Sequence, residues 1–275
     1  MKKIINELIK DQKNNCIINL LKNASENTIL PLRGNLKKNQ IRSKKRKDDF
    51  VTDADQLVEE YLSHELKKIL INSLVVGEES CFETPNLFKD FSKETLIWTC
   101  DPIDGTFNYV NMSPNFCSMV SLCQNEIPIA CWLYFPIYNI EIISSVDDGL
   151  YIVKGENVVK VNREKSFSFL NINGSINLNY LFSNLKIKTL LNDYKYVSGL
   201  RCAGLEAVAI SCGIINFIYH QNLTPWDHCP LSVLAKSTKN IVGLVPNCKE
   251  FKFNSNGKLL VADSKKNWDN LLIKI

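Results

Sequence analysis

The chain has no C-x-x-C pair among its ten cysteines, no apolar run of bilayer length and no Pro/Gly/Ser-rich linker in its 275 residues. The first absence removes the tight spacings of zinc clusters. A chain of this size also needs no disulfide framework, so the cysteines read as reduced core or near-core thiols of a cytoplasmic protein. The uncharged stretches 105–125 and 207–226 are interrupted by Asn, Ser, Gly and Pro, so neither supplies the ~20 predominantly apolar residues that span a membrane. The opening MKKIINELIKDQKNN begins basic but holds no apolar segment of signal-peptide length, which implies no export. Arginine is scarce, five of 33 basic residues against 29 acidic ones, and the net charge of +4 is spread thinly along the chain. That argues against a nucleic-acid surface. What is present, 45% hydrophobic and 23% charged residues with 11 Gly and 9 Pro, excludes collagen-like, disordered and repeat-polymer chains.

Ile4, Ile5, Leu8, Ile9, Cys16, Ile17, Leu20 and Leu21 recur at intervals of three, four and seven, which predicts one amphipathic helix over the first twenty-odd residues. The basic run KKNQIRSKKRK (37–47) reads as a solvated loop or hairpin. Thr52, as N-cap ahead of Asp53 and Asp55, opens a predicted helix over 53–70. Residues 74–76 and 96–100 are short β-rich runs that each lead into acidic residues. From 116 to 153 the segments SMVSLC, IPIACWLYF, IEIISS and LYIV predict consecutive strands of a largely antiparallel sheet. Residues 163–192 carry no clear pattern. The remainder alternates: a strand near Tyr196, a helix over 203–212, a strand over 215–219, a helix after Asp227, a strand over 259–262 and a final helix. The first half, 1–155, reads as α+β and the second, 156–275, as α/β, in one compact unit.

The acidic motifs carry the chemistry. GEES (77–80), DPIDGT (101–106) and PWD (225–227) each follow a β-like run, and a carboxylate just beyond a buried strand is held rigidly at an open crevice. In DPIDGT, Pro102 fixes one backbone angle and biases Asp101 toward extended backbone, so two carboxylates three residues apart can turn toward one point. Gly105 then permits close backbone approach. Hard oxygen donors of this kind suit Mg²⁺ or Mn²⁺. Each motif alone is explicable as a turn, a surface glutamate or a helix cap; the three in this order are not.

On DFVTDAD (49–55), VVGEES (75–80), WTCDPIDGTFNYVNMSPNF (98–116), RCAGLEA (201–207) and TPWD (224–227), the chain resembles the inositol monophosphatase family of metal-dependent phosphomonoesterases, over about residues 44–241. The resemblance implies a layered αβαβα sandwich, shared with fructose-1,6-bisphosphatase, and two or three Mg²⁺ ions. It implies metal ligands at Glu78, Asp101, the Ile103 carbonyl, Asp104 and Asp227, with Asp55, Thr106 and Glu78 in the activation of water. Gly105 and Thr106 would hold phosphate oxygens through their N–H groups, and Gly204, Leu205, Glu206, His220 and Asp227 would line the substrate. Lys44 matches a family lysine only approximately. A small phosphorylated substrate and a homodimer follow from the same resemblance; a membrane or nucleic-acid partner does not.

The departures concern substrate choice. His228, Cys229, Pro230 and Leu231 stand where small residues usually follow the Trp-Asp pair, Leu231 replacing a customary glycine. His220 stands where the family places an inositol-handling carboxylate, and would offer a donor to a second anionic group instead. Leu205 and Glu206 replace a small polar pair. The expected activity is therefore Mg²⁺-dependent hydrolysis of a small phosphate monoester. Bisphosphate nucleotidase, histidinol-phosphatase and fructose-1,6-bisphosphatase-like activities are alternatives, as is a non-enzymatic member that binds RNA or a protein. Trp98 and Trp226 are expected to wall the site, and Trp132 and Trp268 to lie in the core or an interface.

Overall fold

The computed structural model describes residues 2–44, 48–84, 96–162, 173–176, 196–197 and 199–275. Five layers alternate helix and sheet. Helices α1 (Lys2–Lys10), α2 (Cys16–Ala24) and α4 (Asp53–Ile69), with the short α3 (Leu30–Leu32), cover one face of a seven-stranded sheet. That sheet runs in chain order from β3 to β9: Leu74–Gly77, Leu96–Asp104, Cys117–Gln124, Ile127–Phe135, Ile140–Ser145, Gly149–Lys154 and Asn157–Lys160. The β3–β4 pair is parallel and every later pair antiparallel. Helices α7 (Ala203–Ser211) and α8 (Pro225–Ser237) form the middle layer, below a five-stranded sheet of order β11-β10-β12-β14-β13. Its strands are Asn173–Ile176, Tyr196–Val197, Phe217–His220, Ile241–Val245 and Lys258–Ala262, with β10 parallel to β11 and β12, and β14 antiparallel to β12 and β13. Helix α9 (Lys265–Leu272) packs on the outer face. A small hairpin of β1 (Ile41–Ser43) and β2 (Phe50–Thr52) precedes α4.

The central strands are apolar nearly throughout because both of their faces are covered. In β6, Cys131, Leu133 and Phe135 join the core facing α8, while Ala130, Trp132 and Tyr134 join the core beneath α2 and α4. Trp98 tilts against Trp132 at 5.7 Å, buried in that second core. It therefore does not wall the site as expected. Trp226 packs on the first core, and Trp268 lies under the outer sheet.

The predicted single N-terminal helix is two. Asp11 accepts the N–H groups of Lys13 and Asn14, and Asn15 caps a new helix by accepting from Ile17 and Ile18 while donating to the Leu8 carbonyl. Local side-chain bonds of this sort outcompete helix continuation. Within the basic run, Lys38–Gln40 form a 3₁₀ turn and Ile41–Ser43 form β1; its residues 45–47 lie outside the described residues, as does most of 163–192. Strand β13 was not anticipated. Helix α8 begins at Pro225, so Asp227 sits within its first turn and Pro230 in the second, where the missing N–H removes the bond to the Trp226 carbonyl. Among the described residues no helix is long and apolar enough to cross a membrane. No disulfide forms among the described residues, and seven of the ten cysteines are buried.

Candidate active site

A cleft of about 420 Å³ opens where the end of β4 meets the starts of α6 (Thr106–Val110), α7 and α8. Its floor depends on a bulge. Asp101 pairs with Met119 and Asp104 with Cys117, so that Pro102 and Ile103 of β4 stand against Ser118 alone of β5, and the Ser118 hydroxyl secures the Pro102 carbonyl at 2.6 Å. The extra residue breaks strand alternation, which turns both carboxylates to one side as the Pro-containing motif predicted.

The first turn of α8 brings the third carboxylate. Thr224 donates its hydroxyl to Asp227 at 2.6 Å, and oxygens of Asp101, Asp104 and Asp227 lie within 4.8 Å of one another. Burial pushes all three side chains toward protonation, reinforced at Asp101 by the charges of Glu78, Asp104 and Asp227 and at Asp104 by that of Asp227. Asp104 reaches only about 6 because it accepts from the N–H groups of Ala203 (3.0 Å) and Gly204 (2.7 Å) and from the Cys202 thiol. Asp101 Oδ1, though buried, has no hydrogen-bond partner among the described residues. Three clustered oxygen donors, one of them orphaned, fit a hard divalent cation such as Mg²⁺.

Glu78 opens the short helix α5 (Glu78–Glu83) at the edge of the cleft. The N–H groups of Glu79 and Ser80 are received by the buried Glu59 carboxylate at 2.7 and 2.8 Å. A Cβ at Gly77 would fall 2.0 Å from that carboxyl carbon, which is why glycine stands there. Glu78 itself is ion-paired with Lys44 at 2.6 Å, and the same ammonium reaches Glu79 at 2.8 Å. Burial pushes Glu78 up to about 8 and Glu79 to about 7 despite that cation, which is itself held firmly charged. Lys44, which matches a family lysine only approximately in sequence, is thus a deeply placed part of the site.

Asp55 is wholly buried and closes a capping box, accepting from the Thr52 N–H (2.7 Å) and hydroxyl (2.6 Å). Thr106 Oγ1 lies 2.9 Å from the Ile103 carbonyl and 3.3 Å from Asp55 Oδ1. Burial raises Asp55 to about 6. Gly105 precedes α6 with φ +86°, a conformation that leaves it against the carbonyls of Arg201 and Asn115.

On the opposite wall, Glu206 accepts from Ser175 (2.6 Å), the Leu200 N–H (2.9 Å) and His220 Nε2 (2.8 Å). His220 Nδ1 lies 2.9 Å from His228 Nε2, and His228 Nδ1 faces the backbone of Thr224. The partner carboxylate raises His220 against the effect of burial, whereas burial drives His228 down to about 3. Both nitrogens of His220 are therefore spent inside the protein. It lines the cleft but offers no free donor, which corrects the expected role toward a second anionic group. Gly204 and Leu205 do not line the cleft: a Cβ at Gly204 would meet Cys117 Sγ at 2.6 Å, and Leu205 packs against the core. His228 stands out in the sequence only as a departure from the small residues that usually follow the Trp-Asp pair; nothing in PWDH signals its contact with His220. At the rim, Arg201 lies 3.9 Å over Phe107, which stacks on Phe50, and pairs with Asp48 at 3.1 Å.

A profile of the inositol monophosphatase family matches residues 11–275. The chain is 32% identical over 204 residues to an inositol monophosphatase of Dictyostelium discoideum, covering 70% of this chain and 71% of that protein. It is 30% identical over 222 residues to a fructose-1,6-bisphosphatase/inositol-1-monophosphatase of Aquifex aeolicus, covering 77% and 78%. The fold superposes, with a TM-score of 0.78 over 93% of this chain and 92% of the other, on an IMPase/NADP phosphatase solved with NADP and Ca²⁺. At 17% identity that last likeness is one of fold alone.

Proposed function

The chain belongs to the inositol monophosphatase family of Mg²⁺-dependent phosphomonoesterases, and from that premise we propose that it hydrolyses a small phosphate monoester in the cleft between β4, α6, α7 and α8. The observation that carries the proposal is the trio of buried Asp101 and Asp104 with half-buried Asp227, Asp101 Oδ1 lacking any proton donor among the described residues. These three, with Glu78 and the Ile103 carbonyl, would hold the cations. Bound there, divalent cations supply neutralisation of phosphoryl charge and activation of water.

The residues around them divide the remaining work. Thr106 Oγ1 is placed to accept a hydrogen bond from the attacking water, since its own proton goes to the Ile103 carbonyl or to Asp55. Asp55, raised to about 6, is an anion at neutral pH that can take up the water's proton by way of that hydroxyl. Glu78, once released from Lys44, is a second acceptor on the cleft's edge. The Gly105 and Thr106 N–H groups would orient phosphate oxygens. The alcohol half would meet Glu206, whose Oε1 is filled by two donors and whose Oε2 retains one lone pair beside His220. The inositol-handling carboxylate that the family resemblance places at 220 is thus replaced by a histidine bound to a largely satisfied Glu206, which supports testing polyols other than inositol.

The decisive assay is phosphate release from inositol 1-phosphate, fructose 1,6-bisphosphate, histidinol phosphate and nucleotide 2′- and 3′-phosphates, with Mg²⁺ and with chelator. Release that needs Mg²⁺ and drops about a hundred- to a thousandfold in Asp101→Asn, the scale on which loss of an electrostatic stabiliser acts, is expected. Metal-independent release, or none from any substrate, would sink the proposal.

A further inference from the structure

Behind the aspartate trio lies a second donor set of different chemical character. Cys202 Sγ stands 3.0 Å and Cys117 Sγ 3.6 Å from Asp104 Oδ2, and the two sulfurs are 4.0 Å apart. A tetrahedral zinc with Zn–S of about 2.3 Å and Zn–O of about 2.0 Å requires an S···S edge of about 3.8 Å and S···O edges of about 3.5 Å. The three edges found deviate from that triangle by about 0.5 Å at most. Cys202 and Asp104 line the cleft, so an incoming ion reaches the triangle from there and keeps its fourth position toward solvent. The positions are fixed by packing. Cys117 is pinned on β5 beneath Gly204, and Cys202 is the N-cap residue of α7, whose Ala203 and Gly204 N–H groups already stabilise negative charge at Asp104.

We propose that Asp104, Cys117 and Cys202 form a preformed site for a thiophilic cation of the zinc class, sharing Asp104 with the hard-metal cluster. Binding replaces the Cys202 S–H···Asp104 hydrogen bond with metal–sulfur and metal–oxygen bonds and releases both thiol protons to solvent. Occupation draws Asp104 away from the trio, so zinc and Mg²⁺ compete. The binding does not rest on the proposed hydrolysis; only its consequence, arrest of that activity by zinc, does. The pair Cys123 and Cys229, 3.6 Å apart, makes an internal control, since neither residue lines the cleft and no carboxylate joins them in the clusters found among the described residues.

The test uses the full chain in the absence of Mg²⁺, titrated with Co²⁺ as a spectroscopic substitute for zinc. One equivalent of Co²⁺ should generate thiolate-to-cobalt charge-transfer absorption and tetrahedral visible bands, with two protons released, and Zn²⁺ should displace it. The absorption should be lost in Cys117→Ser and in Cys202→Ser, persist in Cys123→Ala, and weaken as Mg²⁺ is raised. Absence of the charge-transfer band in the wild-type chain, or its survival in both serine variants, overturns the proposal. Proton release by the wild-type chain supplies a readout if a serine variant does not fold: release of no protons overturns it too. Because these are binding signals, they remain informative whether or not any phosphate ester is hydrolysed.

Discussion

The substitution Asp101→Asn separates function from stability, with opposite signs. Without metal, the three aspartates are forced together at separations within 4.8 Å, where two full charges repel by about 3.5 kcal/mol at an effective dielectric of about 20. Asp101 takes part in two such pairs. The cluster lowers this cost by retaining protons, so the full sum is never expressed, and a net relief of about 1–3 kcal/mol is expected when Asp101 becomes a neutral isostere. For a chain of this length that is an increase of roughly 2–4 °C in Tm per kcal/mol. The measurement is thermal unfolding followed by circular dichroism, in chelator and in excess Mg²⁺. Wild type should gain stability with Mg²⁺, as any ligand that binds only the folded state confers. Asp101→Asn should start higher and gain much less. A metal-free Asp101→Asn protein that melts below wild type, or an Mg²⁺ response that is unchanged, would refute the idea that this trio is a strained cation site.

Acid should act in the same direction as that substitution. Folded-state values are raised to about 8 for Glu78, about 7 for Glu79 and about 6 for Asp55 and Asp104, against ordinary values of 4.5 and 3.8. An acid raised on folding destabilises fully above its folded value, and that penalty shrinks as pH falls from there toward its unfolded value. The metal-free Tm should therefore rise as pH falls from about 8.5 to about 5.5, and saturating Mg²⁺ should flatten that slope; a Tm that falls over the same window in chelator contradicts the assignment. Lys44→Met removes the cation shared by Glu78 and Glu79, and breaking a buried ion pair costs about 3–5 kcal/mol. The loss, read by urea unfolding, should be largest near pH 8 and shrink near pH 5; equal losses at both would show that the side chain acts by packing alone. Gly204→Ala places a methyl 2.6 Å from Cys117 Sγ and 2.7 Å from Met119 Sδ, and should cost about 1–3 kcal/mol of stability together with weaker Mg²⁺ binding, because the displaced N–H groups are those that hold Asp104. Isothermal titration with Mg²⁺ checks it, and unaltered affinity in a destabilised variant breaks the link.

The parts legible in the sequence were those written in local chemistry. Thr52 as N-cap ahead of Asp53 and Asp55 announces α4, Gly105 marks a close backbone approach where α6 begins, and the β5–β8 segments are strands because uninterrupted apolar runs of that length suit a sheet covered on both faces. The break between α1 and α2 was hidden because its signal is a competition: the apolar spacing continues through DQKNN, while Asp11 and Asn15 satisfy the backbone in another way. Lys44 and the Glu206–His220–His228 chain were hidden for a different reason. Their partners stand 34 and 35 residues away for Lys44, and 14 and 8 for His220, on elements that only the tertiary fold brings together. The bulge at Pro102 and Ile103 lies between these cases, since the proline hinted at it while only the pairing of β4 with β5 fixes its size.

The middle-layer helix α8 carries Asp227 in its first turn, is buried from His228 to Ala235, and packs against strands of both sheets. Its amide protons should therefore exchange with solvent only through openings that approach the global unfolding free energy. A carboxylate anchored there has no inexpensive route to fray, swing out or rearrange, so the geometry around the cleft floor should outlast that of the Arg201–Phe107 rim under heat or denaturant. Hydrogen exchange measured along the chain would then trace a gradient, fastest at the mouth and slowest at the carboxylates.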